Sequence, residues 1–332
     1  MSLIKKTDKI FVAGHNGMVG NSLIKVLEKN GYKNILTVNK NLVDLRNSSL
    51  VHNWFCEENP DVTIVAAAKV GGIFANDSYP VEFLLDNLKI QNNVIESSWK
   101  TGVKRLLFLG SSCIYPKFSK QPIKEEYLLS GSLESSNQWY AIAKISGIKL
   151  CEALRKQYGF DTISLMPTNL YGPKDNYHAS NSHVIPGLIK KFHDAVVSNK
   201  KSVTCWGSGN PMREFLHVED LAEACCFVLE NWNPDLQNSP IDSNGKKLQF
   251  LNVGTGLDHS IKDIALLIAE VLNYKGKIKW DLTKPDGTPQ KLLDVSNLKS
   301  LGWEAKIGIN EGLKRTVLDF KNELKENNLK IK

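Results

Sequence analysis

A strand–turn–helix pattern near the start of the chain most constrains the fold. Residues 10–13 form a short apolar run, glycines follow at 14, 17 and 20, and apolar residues then recur at helical spacing. Glycines at this spacing let the backbone turn tightly and bring a helix start close to a pyrophosphate. The motif alone is weak evidence, but its position between a strand and a helix is the context that a dinucleotide site requires.

The segments that follow repeat this alternation. Apolar runs predict further strands, and longer stretches have helical spacing; the strands are at 34–38, 62–68, 105–110 and 162–166, and the helices are at 81–99 and 138–158. Strands that alternate with helices are typical of a parallel sheet with both faces covered. The sequence therefore predicts an α/β fold built on a doubly wound parallel Rossmann sheet.

The residues after the second predicted strand bear on the choice between NAD and NADP. NAD sites place Asp or Glu there, where the carboxylate binds the ribose hydroxyls. This chain has Asn39 and Lys40 at that point and no acid, while Asp44 comes later and could flank the adenine. Because an ammonium attracts a 2′-phosphate, we predict NADP(H) as the cofactor. The alternative is that Lys40 is an ordinary surface residue.

The pattern loosens from about residue 171. A helix at 184–197, a strand at 202–206 and a helix at 261–272 are predicted, with a surface loop over 232–249. We therefore predict an NADP-binding Rossmann domain over 1–170, completed by part of 217–255. Residues 171–332 would mainly form a smaller α/β substrate-binding domain, with the ligand between the two.

Composition excludes several classes of protein. The formal charge is +7, but the basic residues are scattered and match no nucleic-acid motif. No apolar run approaches the ~18 residues that cross a membrane, and the first residues lack the apolar stretch of a signal peptide. The six cysteines are not spaced like metal ligands, so we expect reduced thiols and no metal site. We expect a cytoplasmic protein with no nucleic-acid or membrane partner.

Five side chains suggest proton chemistry at a carbonyl. Tyr140 and Lys144 are four residues apart, so they share one face of a helix. An ammonium beside a phenol favours the phenolate, which brings proton exchange nearer neutral pH. Ser111 ends the fourth predicted strand, where ligands bind in open α/β sheets. With Cys113 and His183 they form a set for proton transfer, to which a dinucleotide would add hydride chemistry.

Eight segments, spread over nearly the whole chain, match the motifs of one enzyme family. They are G-H-N-G-M-V-G at 14–20, A-A-K-V-G-G-I at 67–73, G-S-S-C-I-Y-P at 110–116, Y-A-I-A-K at 140–144, M-P-T-N-L-Y-G-P at 166–173, N-S-H-V-I-P at 181–186, W-G-S-G-N-P-M-R-E-F-L-H-V-E-D at 206–220 and K-P-D-G-T-P-Q-K-L-L-D at 284–294. With them the chain resembles the extended short-chain dehydrogenases/reductases that act on nucleotide sugars. More narrowly, it resembles the GDP-L-fucose synthase family.

This resemblance implies a two-step activity and a role for each reactive group. The reaction would be the NADPH-dependent conversion of GDP-4-keto-6-deoxy-D-mannose to GDP-L-fucose, by 3,5-epimerisation and then 4-keto reduction. Tyr140 would protonate the C4 oxygen as NADPH delivers hydride to C4. Lys144 would bind the nicotinamide ribose and lower the Tyr140 pKa. Ser111 would bind the same carbonyl, and Cys113 and His183 would act as base and acid at C3 and C5.

The resemblance also implies two sets of binding residues. Those for the cofactor are Gly14, Asn16, Gly17, Met18, Val19, Gly20, Lys40, Asp44, Leu45, Ala67, Ala68, Leu109, Gly110, Ser111, Ser112, Tyr140, Lys144, Pro167, Thr168, Asn169, Leu170 and His183. Those for the GDP-sugar are Asn169, Val184, Lys191, Trp206, Arg213, Asp286 and Lys291. Arg and Lys suit a diphosphate, and Trp suits packing on a ring.

Two departures from the family pattern affect the cofactor site. Family members often carry Arg where this chain has Asn16, and often Arg where it has Lys40. Both arginines would face the 2′-phosphate, so this chain keeps one cation instead of two. We therefore predict a weaker preference for NADP over NAD. Lys191 also replaces a frequent Arg, which should matter little for a phosphate contact.

Three alternative functions share the fold. A 4-epimerase with tightly bound NAD usually has Ala at the position of Cys113, and a 4,6-dehydratase would need Asp-Glu in place of Ser112 and Cys113. A non-catalytic NADP-binding sensor tends to lose Tyr or Lys of the Y-x-x-x-K motif, and this chain retains both.

The family resemblance also implies a homodimer, with the helices at 81–99 and 138–158 packed as a four-helix bundle.

Overall fold

A computed structural model of the chain describes residues 2–179, 181–284 and 286–331. Of the motif residues named above, Pro285 lies outside these ranges. The strands are β1 (Ile10–Ala13), β2 (Ile35–Leu36), β3 (Val62–Val65), β4 (Arg105–Leu109), β5 (Thr162–Pro167), β6 (Asn169–Tyr171), β7 (Ser202–Trp206), β8 (Met212–His217), β9 (Phe250–Val253), β10 (Asp258–Ser260), β11 (Lys277–Asp281) and β12 (Gln290–Lys291). The helices are α1 (Met18–Lys29), α2 (Ser48–Glu58), α3 (Ile73–Ser78), α4 (Pro80–Lys100), α5 (Gln138–Tyr158), α6 (Val184–Val197), α7 (Val218–Asn231), α8 (Ile261–Val271), α9 (Ser296–Ser300) and α10 (Ile309–Lys325).

The central sheet has six parallel strands in the order β2-β1-β3-β4-β5-β9. The chain moves outward from β1 in both directions, which makes the sheet doubly wound and places a switch point between β1 and β3. Ligands of open parallel sheets bind outside the carboxyl ends of the strands at such a point. The predicted fold class is confirmed.

Alternating side chains of the strands fill two separate cores. In β1, Ile10 and Val12 pack with residues of α1 and α7, whereas Phe11 and Ala13 pack with residues of α2, α4 and α5. All four residues are fully buried. Because helices cover both faces, every position of such a strand is apolar, which is why the strands read as continuous apolar runs.

The second half of the chain builds smaller sheets and also contributes to the first one. Strand β8 pairs with β6, β10 and β12, while β7 pairs with β11. A third core lies between α6, α8 and α10. The helix predicted at 184–197 and the strand predicted at 202–206 are confirmed. Strand β9 joins the edge of the central sheet, and α7 packs against α1.

Two predicted strands are three residues shorter in the structure. The strand expected at 34–38 pairs over Ile35–Leu36, and the one expected at 62–68 ends at Val65. Beyond β3 the backbone leaves the sheet to lie against the first glycine turn, where a Cβ on Gly14 would lie 2.8 Å from Ala67 Cα. The apolar residues 66–68 therefore line the sheet edge.

None of the helices in the described ranges combines the length and the apolar composition that a membrane crossing requires. In the same ranges, no cluster of three or more His, Cys, Asp or Glu side chains is arranged to hold a metal ion.

Candidate active site

The glycine motif forms a cradle at the start of α1. Gly14 has φ 93°, a conformation that favours glycine, and the Gly17 N–H donates to the Gly14 carbonyl at 2.9 Å. A Cβ on Gly20 would lie 2.2 Å from the same carbonyl oxygen, so no side chain fits there. Gly17 is the N-cap and adds no side-chain hydrogen bond to the first-turn amides. These amides suit a pyrophosphate, and the residues present fit a dinucleotide.

The adenosine end of the expected cofactor site is polar and partly neutralised. The Asn16 Nδ2 donates to Asn39 Oδ1 at 3.2 Å, and Lys40 beside them is exposed. The Asp44 carboxylate accepts hydrogen bonds from Arg46, with an Nη2–Oδ2 distance of 2.6 Å, and these bonds lower the pKa of Asp44 to about 2. Arg46 was not identified from the sequence, because only the fold shows that it neutralises this acid.

The residues expected to contact the cofactor gather at one edge of the sheet. Each group follows the carboxyl end of a different parallel strand: 14–20 follows β1, Lys40 to Leu45 follows β2, Ala67 and Ala68 follow β3, Leu109 to Ser112 closes β4, and Pro167 to Leu170 closes β5 and enters β6. Asn169 is held there by a hydrogen bond from its Nδ2 to the Glu214 carbonyl at 2.8 Å.

Helix α5 brings the Tyr–Lys pair against the end of β4. Gly147 allows the close approach, since a Cβ there would lie 2.5 Å from the Phe108 ring. Lys144 is 3% exposed, and its Nζ donates to the Leu109 carbonyl at 2.8 Å. The same Nζ lies 5.8 Å from the centre of the Tyr140 ring. The two side chains therefore share one face of α5, as their spacing predicts.

The pKa of Tyr140 beside Lys144 differs from the expectation. Burial raises the pKa of Tyr140, the nearby Cys113 raises it further, and a hydrogen bond with Ser111 opposes this only in part. Burial also lowers the pKa of Lys144 to about 7. The expected lowering of the Tyr140 pKa is not found, because removal from water outweighs other effects and the Lys144 ammonium is bonded to a backbone carbonyl. Tyr140 is thus a protonated hydrogen-bond donor at neutral pH.

Ser111 and Cys113 lie on a short 3₁₀ turn directly after β4. Ser111 Oγ accepts the Cys113 N–H at 3.3 Å, and its side chain also bonds Tyr140. Cys113 is partly exposed, and the Lys291 Nζ donates to its Sγ at 3.9 Å. A hydroxyl, a phenol, a thiol and an ammonium therefore meet at the carboxyl end of β4.

His183 is the N-cap residue of α6. Its segment is fixed by the loop after β3: the Gly72 N–H donates to the Asn181 carbonyl at 2.9 Å, and a Cβ on Gly72 would lie 2.5 Å from the Ser182 oxygen. His183 is exposed, and the protein around it still lowers the pKa of the imidazole by partly desolvating the charged form. Within the described ranges the ring forms no hydrogen bond with Cys113. The adjacent Val184 is exposed.

The second half of the chain contributes an exposed indole to the set of expected site residues. Trp206, at the end of β7, is 55% exposed. Lys191 Nζ lies 5.8 Å from the centre of its ring, and Lys284 Nζ lies 5.6 Å from it. An exposed indole with two ammonium groups near its ring suits an aromatic base that carries phosphates. Lys284 was not identified from the sequence, and its position within the K-P-D-G motif was the available signal.

The comparisons with known proteins agree with this geometry. The NAD dependent epimerase/dehydratase family matches residues 10–241. GDP-L-fucose synthase 1 of Arabidopsis thaliana is 50% identical over 95% of this chain and 94% of its own. GDP-L-fucose synthase of Escherichia coli K12 is 49% identical over 93% of this chain and 95% of its own.

The chain belongs to the GDP-L-fucose synthase family. The resemblance drawn from the motifs is thereby confirmed. Among solved structures, a GDP-mannoheptose C4 reductase from Campylobacter jejuni with NADP bound is 35% identical with a TM-score of 0.86. That match covers 96% of this chain and 99% of the other.

Three of the expected GDP-sugar residues of this family lie on or near β8. Arg213 and Lys291 are register partners on β8 and β12, so they project from the same face. Asp286 accepts the N–H and the hydroxyl of Ser208, each at 2.7 Å, and these bonds lower its pKa. Asp286 thus holds the loop after β7, and the Arg213 guanidinium lies near the adjoining Gly287.

Glu214 is a site residue that sequence reasoning missed. Its carboxylate is fully buried and accepts the N–H groups of Thr255 at 2.6 Å, Gly256 at 2.7 Å and Leu293 at 3.0 Å. It therefore ties the end of β9 and the segment after β12 to β8. The available signal was an acid directly before the apolar residues Phe215 and Leu216, since buried acids need partners.

Proposed function

We propose that the chain converts GDP-4-keto-6-deoxy-D-mannose to GDP-L-fucose in two steps, a 3,5-epimerisation and then an NADPH-dependent reduction of the 4-keto group. The observation that carries the proposal is the placement of Cys113 beside Ser111 and Tyr140. A simple ketone reductase needs the hydroxyl and the phenol. The thiol adds a group that can remove a carbon-bound proton.

Ser111 and Tyr140 would serve both steps through one substrate atom, the C4 oxygen. The protons on C3 and C5 are acidic because the negative charge of the enolate rests on that oxygen. Two donors aimed at it stabilise the charge as it forms. Tyr140, which burial keeps protonated, then donates its proton to the oxygen during reduction.

Cys113 and His183 would act on opposite faces of the sugar ring. The Cys113 thiolate takes a proton from carbon and becomes a thiol, while the electron pair moves to the C4 oxygen. His183 returns a proton on the other face, and its lowered pKa makes the imidazolium a stronger acid. The same two groups would act at C3 and at C5.

The cofactor would lie along the carboxyl ends of the strands. NADPH, when bound, supplies the hydride for C4. Gly14, Gly17 and Gly20 leave room for its pyrophosphate at the α1 N-terminus. Lys144 would hold the nicotinamide ribose, and Lys40 is the cation available to a 2′-phosphate. The NADP-bound relative described above supports this choice of cofactor.

The GDP moiety would bind to residues from the second half of the chain. The Trp206 face suits the base, and Lys191, Arg213 and Lys291 suit the diphosphate. This placement accords with two domains, one over 1–170 with α7 and β9 added, and one formed mainly by 171–332. The ligands would lie between them.

We further propose a cytoplasmic homodimer. Helices α4 and α5 pack together, with Gln91 Nε2 donating to the Ala143 carbonyl at 2.6 Å. Their outer faces leave Leu85 44% and Ile142 39% exposed. A second copy of the same pair would bury these residues in a four-helix bundle. Sedimentation as a monomer at micromolar concentration would rule this out, and Leu85→Glu should yield monomers.

The deciding experiment is NADPH oxidation with GDP-4-keto-6-deoxy-D-mannose, with NADH in parallel and the product identified by NMR. GDP-L-fucose formed with NADPH is the expected result. Reaction in deuterated water should place deuterium at C3 and C5. Folded protein that oxidises neither cofactor would contradict the proposal and favour another nucleotide sugar or a non-catalytic NADP-binding protein.

A further inference from the structure

We propose that Lys291 is a positioning residue for the epimerisation step, which holds Cys113 as a thiolate through direct contact with the sulfur. This inference rests on the proposed function, in which Cys113 is the base. It assigns to Lys291 a role besides the phosphate contact that the family resemblance implies. Three observations support this role: the contact itself, the hydrogen bonds that hold the strand carrying Lys291, and the pairing of the other charges nearby.

The contact joins residues far apart in the chain. Lys291 Nζ donates to Cys113 Sγ at 3.9 Å across a sequence separation of 178 residues. Both side chains are partly buried and line the same pocket next to the 3₁₀ turn. Only a thiolate is an effective base, and an ammonium next to a cysteine favours that form. Water screens such a pair less here than at an open surface.

The segment that carries Lys291 is held on both sides. The Leu292 N–H donates to Gln121 Oε1 at 2.8 Å, and the Leu293 N–H donates to Glu214 Oε2 at 3.0 Å. Gln121 Nε2 also donates to the Gln290 carbonyl at 3.2 Å. These bonds fix the backbone before and after Lys291. The ammonium is thus placed at the sulfur by the fold, without any substrate.

Two other groups face Cys113 from β8 and α5. Arg213 lies within electrostatic range, but its Nη1 donates to the Met212 carbonyl at 2.8 Å. Tyr140 also faces the sulfur, and a thiolate there disfavours loss of the phenolic proton. Of these neighbours in the described ranges, Lys291 is the one with a hydrogen bond to Sγ.

A third cation in the same pocket provides a matched control. Lys117 lines the pocket with Cys113 and Lys291, but its Nζ pairs with the Glu134 carboxylate at 2.9 Å. That ion pair contributes to the lowered pKa of Glu134. Removal of the Lys117 charge therefore changes the pocket without removing the ammonium that contacts the sulfur.

The step balances without a co-reactant. The thiolate takes a proton from C3 or C5, the C–H electron pair moves to the C4 oxygen, and an S–H bond forms. The Lys291 ammonium offsets the sulfur charge before the proton arrives. Loss of the ammonium should therefore leave the thiol protonated to higher pH, so that fewer molecules begin the reaction.

The test is the rate of Cys113 alkylation by iodoacetamide against pH, read by mass spectrometry on the free protein. A Cys56→Ser background removes the exposed competitor, since the other four cysteines are buried. Lys291→Met should move the midpoint of the rate curve up by about one pH unit, which lowers the rate at pH 7 about tenfold. Lys291→Arg should restore most of the reactivity.

The outcomes separate this role from the alternatives. Lys117→Met should leave the alkylation midpoint in place. A Lys291→Met midpoint equal to that of the parent, with a raised KM for the GDP-sugar, would overturn the proposal and leave Lys291 as a phosphate ligand only. Because alkylation is measured without any sugar nucleotide, its result does not depend on whether the proposed reaction occurs. NADPH binding by each variant verifies folding.

Discussion

Replacement of Lys144 by methionine should make the protein more stable and inactive at the same time. Lys144 is 3% exposed, its Nζ donates to the Leu109 carbonyl at 2.8 Å, and the same atom lies 4.8 Å from the centre of the Phe108 ring. Methionine has nearly the same length and no charge. The variant therefore removes a buried ammonium while it keeps most of the packing.

The magnitude follows from the shifted pKa. Burial lowers the pKa of Lys144 from 10.5 to about 7. At about 1.4 kcal/mol per unit, the buried charge costs about 5 kcal/mol when the side chain is protonated in both states. The variant leaves the Leu109 carbonyl without its donor, which costs about 1–3 kcal/mol. The expected net gain in the free energy of unfolding is about 2–4 kcal/mol.

The stability gained by Lys144→Met should decrease as pH rises. Below pH 7 the ammonium is charged in the folded and unfolded states, so the full cost is present in the wild type. Between pH 7 and 10.5 the folded protein loses the proton first, and wild-type stability recovers as pH rises. Near pH 10.5 only the lost hydrogen bond remains. The variant should therefore be more stable at pH 6 and less stable near pH 10.5.

Thermal unfolding at fixed protein concentration measures this difference. For a chain of this length, about 1.5 °C per kcal/mol predicts a Tm about 3–6 °C higher at pH 6. Lys149→Met is the matched control, since Lys149 lies on the same helix and forms a half-exposed ion pair with Glu152 at 2.9 Å. A difference between Lys144→Met and wild type that is the same at pH 6 and pH 10 would refute the reasoning. NADPH oxidation should be lost in Lys144→Met and kept in Lys149→Met.

Three further changes test the cofactor and epimerase sites. Gly20→Ala would force a methyl group to 2.2 Å from the Gly14 carbonyl oxygen. Fluorescence titration should show NADPH binding weakened about tenfold or more. Gly308→Ala is the control, because a methyl group there meets nothing within 4 Å and should leave NADPH binding unchanged. Asn16→Arg adds a second cation for the 2′-phosphate and should raise the NADPH to NADH ratio of kcat/KM about tenfold; an unchanged ratio would place the phosphate elsewhere. Cys113→Ser should abolish deuterium exchange at C3 and C5 with NADPH still bound, and exchange at the wild-type rate would remove Cys113 from the mechanism.

Much of the fold could be predicted because the relevant interactions are local. Buried parallel strands require apolar runs, and amphipathic helices require apolar residues at helical spacing. Helix α5 begins and ends as predicted, since Gly159, with φ 67°, closes it. Where a tertiary contact competes, local patterns fail. The residues after Val65 are apolar like a strand, but they turn away to meet Gly14.

The chemical groups of the site could be named from the sequence, but their electrostatic states could not. Asp44 was expected to flank the adenine, and the structure shows it neutralised by Arg46. Lys144 was expected to lower the Tyr140 pKa, whereas burial raises it. Such shifts depend on how much water the fold removes and on which partner each charge meets, and neither is written in a motif.

The sequence by itself determined five of the six strands of the central sheet, the glycine cradle at 14–20 and the Tyr140–Lys144 pair, because each depends on residues within a few positions of one another. Only the tertiary structure decided that Lys291 contacts the sulfur of Cys113 and that the buried Glu214 helps to hold the strand that carries Lys291. The physical reason is the sequence separation between the residues that interact. Spacing along the chain encodes local geometry, whereas contacts between distant segments and the burial of charge arise only when the whole chain packs.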